Sequence, residues 1–231
     1  MEAINLYYLT RALADLPADQ SWLSAGERAR AAGLRVPKRR GDWLLGRWTA
    51  KVAVRSFLAK TGAGAPDIGL LEIRNAPDGA PEAFLGSEPA PVSLALSHSG
   101  GRGFCAVAAP GIPLGCDVEA IQPRAEEFIL DYFAAEERAL VASAPEDGRP
   151  MMATLLWSAK ESALKCLREG LRRDTRSVPV RLEEGNEQFW NGLTVRCLQS
   201  SRLFHGWWRC VEGFVQTIAA GSPAQEPVDL S

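Results

Sequence analysis

The chain has 231 residues, is 46% hydrophobic and carries a net charge of −2. That composition provides for a substantial folded core and supplies no global basic field for nucleic acid or an anionic membrane. Its five cysteines, Cys105, Cys116, Cys166, Cys197 and Cys210, are odd in number and never spaced as Cys-x-x-Cys, so no disulfide framework or zinc knuckle is expected and a reducing cytoplasm is the expected location. No apolar run approaches the ~18 residues of a membrane helix, and residues 1–10 lack the regions of a secretory leader. A soluble, unprocessed protein is the expectation.

In chain order, residues 24–58 read as helical. Gly26-Glu27-Arg28-Ala29-Arg30 opens one helix, and Pro37 stands where a second, running through Leu58, begins. That second helix carries Lys38, Arg39, Arg40, Arg47 and Lys51 against Asp42, and Arg40, Arg47, Lys51 and Arg55 recur along one edge. Basic helix edges are commonly just solvating. The functional alternative is a phosphate clamp, with arginine supplying forked donors and lysine a point charge. Short apolar runs follow at 70–73, 92–97, 104–109 and 113–119, parted by turn residues such as Ser99-Gly100-Gly101 and Pro110-Gly111, which predicts an antiparallel meander. Ser97-His98-Ser99 closes the second run. It reads either as a locally satisfied turn or as an anion receptor built from two hydroxyls, an imidazole and backbone amides. Helices are predicted again over 125–143 and 149–168, the latter stopped by Gly170, and strands over 178–220, where His205 is read as structural.

Two segments carry chemistry. In Gly115-Cys116-Asp117-Val118-Glu119, strand alternation puts Asp117 and Glu119 on one face, with Cys116 and Val118 on the other. In Trp157-Ser158-Ala159-Lys160-Glu161-Ser162-Ala163-Leu164-Lys165, helical spacing puts Glu161 and Lys165 one turn apart. Alone, the first is an ordinary solvated strand end and the second a surface pair worth about 0.3–0.5 kcal/mol. Context favours more: Met152, Leu155, Leu156, Ala159, Ala163 and Cys166 form a buried stripe, leaving Trp157 among charges on a second, mixed face expected to line a cleft. Three carboxylates and an ammonium brought together suit a hard cation such as Mg²⁺ holding a pyrophosphate.

The two helical regions also echo each other. Glu27-Arg28-Ala29 stands against Glu137-Arg138-Ala139, and Trp48-Thr49-Ala50-Lys51 against Trp157-Ser158-Ala159-Lys160, at offsets of 110 and 109 residues. This predicts an α+β fold made by duplication of two similar subdomains, 1–111 and 112–231, packed as a pseudo-two-fold pair with a ligand cleft between them.

Together these segments resemble the 4′-phosphopantetheinyl transferases of the Sfp type, whose signature runs Gly-x-Asp-x-Glu, a gap of roughly forty residues, then Trp/Phe-Ser-x-Lys-Glu-x-x-x-Lys. Every fixed position is matched, with Asp117 and Glu161 44 residues apart. The resemblance implies transfer of the phosphopantetheine arm of coenzyme A to a serine of an acyl, peptidyl or aryl carrier protein by a monomer, with release of 3′,5′-ADP. It implies Mg²⁺ on Asp117, Glu119 and Glu161, Lys165 beside the phosphates, and the 3′-phosphate and neighbouring anionic groups on Arg47, Lys51, Ser97 and His98. Glu161 is open to two roles, metal ligand or general base. Gly79-Ala80-Pro81 lacks the cation that many relatives carry there, and an acidic carrier is expected to dock near Arg168, Arg172 and Arg173. A silent coenzyme A-binding module and a structural cation site are the rival readings; the first has no need of Glu161 and Lys165, and the second lacks a dense acidic loop.

Overall fold

The computed structural model describes residues 3–169, 173–183 and 185–231. Two compact units divide the chain: Asn5–Ile112 with Pro227–Ser231, and Pro113–Glu226 with the residues ahead of Asn5. The architecture is α+β, and no described helix is long and apolar enough to cross a membrane. None of the five cysteines is joined in a disulfide.

In the N-terminal unit, β1 (Tyr7–Ala12) precedes α1 (Ala25–Ala32) and α2 (Pro37–Lys60), followed by β2 (Leu71–Asn75), β3 (Pro81–Leu85), β4 (Glu88–Pro89), β5 (Ser93–Ser99) and β6 (Arg102–Ala108). Strand β1 was not foreseen. It lies antiparallel to β6 and parallel to the short strand Val228–Asp229, while β5 and β6 form a hairpin. Strands β2 to β4 make a separate small sheet, with Gly79-Ala80-Pro81 at the β2–β3 hairpin, where Gly79 has φ +92°. Helix α2 lies across the larger sheet through Ala50, Ala53, Val54 and Phe57, packed on Leu9, Cys105 and Val107. The seat is close: a Cβ on Gly103 would stand 2.4 Å from Thr49 Oγ1, and one on Gly46 3.6 Å from His98 Cδ2.

Helix α1 starts with a full capping box, Glu27 N–H donating to Ser24 Oγ and Ser24 N–H to Glu27 Oε2. The same glutamate is buried against α2. Its Oε2 lies 2.6 Å from Lys51 Nζ, and its Oε1 accepts from Ile73 N–H at 3.1 Å. Lys51 Nζ also donates to the Trp22 carbonyl at 2.6 Å.

The C-terminal unit opens with β7 (Leu114–Ala120), then α3 (Glu126–Tyr132), α4 (Ala135–Ser143), α5 (Arg149–Leu167), β8 (Val180–Leu182), β9 (Asn191–Arg196), β10 (Leu203–Val211) and β11 (Phe214–Ala220). Its sheet is antiparallel in the order β7-β11-β10-β9-β8. The predicted meander is therefore corrected: its four runs fall in three sheets, and β7 pairs with β11 across nearly the whole unit, not with β6. The helix predicted over 125–143 is two helices, broken where Phe133 turns extended at φ −108° and ψ 140° to bury its ring. Helix α5 ends at Leu167, with Arg168 left-handed at φ 59°; Gly170, expected as its stop, lies outside the described residues.

Here a second capping glutamate is buried. Glu137 Oε2 accepts from Ala134 N–H at 2.7 Å and pairs with Lys160 Nζ at 2.8 Å, while its Oε1 accepts from Val180 N–H at 2.9 Å.

Candidate active site

Helix α5 rests on β7 and β11 because the sequence removes the side chains that would hold it off. A Cβ on Gly115 would stand 1.9 Å from the Ser162 carbonyl oxygen and 2.9 Å from Cys166 N, so only glycine admits the helix backbone here. Ala159 and Ala163 on the helix are fully buried. Strand alternation then places Asp117 and Glu119 on the same face as Gly115, the side that α5 covers. The acids thus share the helix-covered side of the strand, not a side turned from the core as the alternation alone implied.

Lys165, at the end of α5, reaches down to this strand. Its Nζ donates to Asp117 Oδ1 at 2.9 Å and to the Cys116 carbonyl at 2.8 Å. Asp117 is 3% exposed. Burial by itself would lower the Lys165 pKa, but Asp117, the Cys116 side and Glu161 outweigh it, and the ammonium is held above its ordinary value. One turn back, Glu161 is half-buried, and its Oε1 is enclosed with no hydrogen-bond partner among the described residues. Burial pushes its pKa up, Lys165 opposes, and the nearby charges of Asp117 and Glu119 add to the rise. Glu119 is pushed up by burial and by Asp117, against the pull of Arg124, whose Nη2 lies 3.4 Å from Glu119 Oε2. Arg124 in turn stands 5.1 Å over the Phe128 ring.

The contact between Lys165 and Asp117 joins the end of α5 to β7, and the charges of Asp117 and Glu119 bear on Glu161. Among the described residues no group of three or more His, Cys, Asp or Glu side chains is already drawn together as a metal shell. The donor set still fits a hard cation: all donors are carboxylate oxygens, the enclosed Glu161 Oε1 lacks a hydrogen-bond partner among the described residues, and two of the acids carry raised pKa values that a cation would relieve.

A polar seam that sequence reading missed holds α5 in register. Thr217 of β11, paired in register with Asp117, has its Oγ1 2.9 Å from Ser158 Oγ and 2.7 Å from Ser162 Oγ, and its hydroxyl also lies 3.0 Å from the Ser158 carbonyl. The serines of the Trp-Ser-x-Lys-Glu-Ser run gave the available signal, since two hydroxyls on the face of an otherwise apolar helix need partners. Trp157 is not a cleft-lining residue. It is 9% exposed and packs edge-on to Phe128 and Tyr132 of α3, with ring centroids 4.9 and 5.2 Å away. Leu164, on the same turn as Lys165, is fully buried.

The basic edge of α2 is not uniformly open. Arg55 is exposed and Arg40 half-buried, whereas Arg47 and Lys51 are buried. Lys51 is 0% exposed, and its ammonium is committed to Glu27 and the Trp22 carbonyl, which removes it from the cations open to a phosphate. Arg47 Nη2 donates to Asn75 Oδ1 at 2.6 Å, its guanidinium lies 5.0 Å from the Trp43 ring centroid, and its Nε has no hydrogen-bond partner among the described residues. Burial lowers its pKa. His98 is exposed and Ser97 half-buried on β5, the strand that Gly46 lets α2 approach. Of the basic rim, Arg168 is exposed, Arg173 Nε pairs with Glu169 Oε2 at 2.5 Å, and Arg172 lies outside the described residues.

Residues 113–218, which contain all four charged groups, match the family model described as the 4′-phosphopantetheinyl transferase superfamily. A curated relative from Synechocystis sp., provisionally named as a 4′-phosphopantetheinyl transferase, is 27% identical over 158 residues, covering 68% of this chain. The chain spans 61% of that relative's length. Both matches are to proteins described as 4′-phosphopantetheinyl transferases. Among solved structures, a holo-(acyl-carrier-protein) synthase from Bacillus anthracis in complex with CoA (3′,5′-ADP) is 22% identical, covers 46% of this chain and 95% of its own, and aligns with a TM-score of 0.38. The Thermotoga maritima holo-[acyl-carrier-protein] synthase is 14% identical, covers 49% of this chain and 65% of its own, and aligns with a TM-score of 0.34.

Proposed function

We propose that this chain is a phosphopantetheinyl transferase of the Sfp type, which moves the 4′-phosphopantetheine arm of coenzyme A onto a serine of an apo carrier protein, Mg²⁺-dependent, and releases 3′,5′-ADP. The observation that carries the reading is the meeting of α5 and β7: Lys165 on Asp117, with a partnerless Glu161 oxygen one turn away, inside the segment that matches the superfamily. In the reaction the serine oxygen bonds to the β-phosphorus, the bond to the nucleotide's phosphate breaks, and the serine proton must be taken up. Bound Mg²⁺ would neutralise charge on the pyrophosphate oxygens, and Asp117, Glu119 and Glu161 are the residues to hold it.

Lys165 brings a fixed positive charge to the same place without needing to move. The raised pKa of Glu161 brings it toward the range in which a carboxylate accepts a proton, so the base role stays beside the ligand role. A rate profile against pH at saturating Mg²⁺ separates them, because a base leaves an acid limb and a saturated ligand does not. We assign Arg47, Ser97 and His98 to the nucleotide's 3′-phosphate and leave Lys51 to the fold. The acidic carrier is assigned to the basic residues near Arg168.

The same reading takes the chain as a duplication that acts as a monomer. The strand order β1-β6-β5 in one unit answers β7-β11-β10 in the other, and each unit has a long helix tied by a buried Glu–Lys pair. Incubating the protein with coenzyme A, Mg²⁺ and an apo carrier, then weighing the carrier, tests the activity. A gain of one phosphopantetheine is expected; an unchanged carrier, with coenzyme A bound but intact, would favour a silent binding module.

A further inference from the structure

We propose that Lys160 and Glu137 are positioning residues for Glu161, an inference that rests on the carboxylate site of the transfer reading. Among the described residues the enclosed Oε1 of Glu161 has no hydrogen-bond partner, so the backbone of α5 does much to set where that oxygen stands. The residue before Glu161 is the most heavily anchored side chain of the helix.

Lys160 is fully enclosed, and its three ammonium donors have three acceptors: Glu137 Oε2 at 2.8 Å, the Thr175 carbonyl at 2.8 Å and the Val178 carbonyl at 3.2 Å. Glu137 spreads the constraint further, since it also accepts from the backbone N–H groups of Ala134 and Val180. One ion pair thus ties the start of α4, the middle of α5, the turn Thr175–Ser177 and the start of β8 to a common point.

Adhesion does not require this pair. Leu155, Leu156, Ala159, Ala163 and Leu164 already bury α5, and taking two charges out of water offsets most of what their attraction returns. What the pair adds is direction. Apolar contacts tolerate small slides and rotations of a helix, whereas hydrogen bonds to four separate segments do not. A rotation of α5 at Lys160 would carry Glu161 with it, the two being about 100° apart on the same turn. On the far side the Ser158–Ser162–Thr217 seam completes the fixation, so Glu161 is held between two anchors that it does not touch.

The test compares the full-length protein with Lys160→Met and Glu137→Gln. Three quantities are read well below the lowest melting temperature: Mn²⁺ affinity by electron paramagnetic resonance, kcat, and KM for coenzyme A. We expect Mn²⁺ binding to weaken and kcat to fall by roughly tenfold to a hundredfold, with KM changed by less than about twofold. Lys160→Arg, which keeps a cation, should recover part of both losses. Lowered melting temperature alone, with Mn²⁺ affinity and kcat within about twofold of the parent, would overturn the proposal. If Lys160→Met does not fold, Glu137→Gln, which keeps size and an acceptor, decides by the same criteria. A parent that transfers nothing while its Mn²⁺ affinity still drops in the variants removes the transferase reading and keeps the positioning one; a parent that binds no Mn²⁺ removes both.

Discussion

The two buried Glu–Lys pairs are alike in almost every detail except what comes next in the chain. Each glutamate sits at the third position of a short helix, accepts from the backbone N–H at that helix's cap and from a strand N–H, and meets a lysine of the following long helix that also reaches a main-chain carbonyl. Beyond Lys51 the chain continues with Val52 and, four further on, Ser56; beyond Lys160 the same steps bring Glu161 and Lys165. The fastening recurs in both units, and on the proposed reading the chemistry lies beside only the second. A buried ion pair is for that reason poor evidence of a functional site unless its neighbours carry unspent polar atoms, as Glu161 does.

The comparison breaks most visibly at the acids themselves. Asp117→Ala and Glu161→Ala should each leave a folded protein with transfer lowered by roughly 10²–10⁴-fold, read from carrier mass over time. Retained turnover in either would put both units on the same, purely structural footing. Next in size, Glu27→Ala and Glu137→Ala should cost about 3–5 kcal/mol each in urea unfolding, because each strands a buried lysine. The gentler Glu27→Gln should lose stability yet leave Mn²⁺ affinity as it was. An equal loss of affinity from both glutamines would erase the distinction between the pairs.

Gly115→Ala tests the seat of α5. Its Cβ would meet the Ser162 carbonyl oxygen at 1.9 Å, so the helix must lift, at about 1–3 kcal/mol or more, and the Lys165 contact with Asp117 should loosen, seen as a fall in both melting temperature and kcat.

The smallest effect sharpens the contrast. Burial raises the folded pKa values of Glu161 and Glu119 above the unfolded ones, so the folded state binds more protons and stability declines as pH rises from the ordinary carboxylate range through the folded values. Glu161→Gln should therefore melt about 2–4 °C higher than the parent at pH 8 and show little gain at pH 4 while transfer is lost, and Mg²⁺ should stabilise the parent more at pH 8 than at pH 5. A parent and Glu161→Gln variant with equal melting temperatures at pH 8 would sink the account of Glu161 as a strained carboxylate.

Much of this was legible beforehand because it is local. The capping box at Ser24, Pro37 at the start of α2 and the alternation in β7 are all written in neighbouring residues. The short echoes between the two helical regions are legible as well, and each includes one partner of a buried Glu–Lys pair that the sequence does not reveal. Glu27 and Lys51 look like surface charges on two amphipathic helices until tertiary packing brings them together, so the sequence presents Lys51 as a phosphate contact. Chain proximity makes β7 look like the continuation of β5 and β6, since it says nothing of a partner as distant as β11. Trp157 looked anomalous among charges only because its partners, Phe128 and Tyr132, belong to another helix. Strand β1 escaped because Thr-Arg-Ala breaks the alternation expected of a half-buried strand.

The enclosed, unshared oxygen of Glu161 carries one more consequence. A carboxylate whose acidity is weakened by its surroundings holds its proton to a higher pH than a free one, and any divalent ion that settles beside it in that range must drive the proton out. Titration of such an ion in calorimetry would then give heats that change with the ionisation enthalpy of the buffer, and the number of protons expelled would report directly on how crowded with negative charge the helix end is.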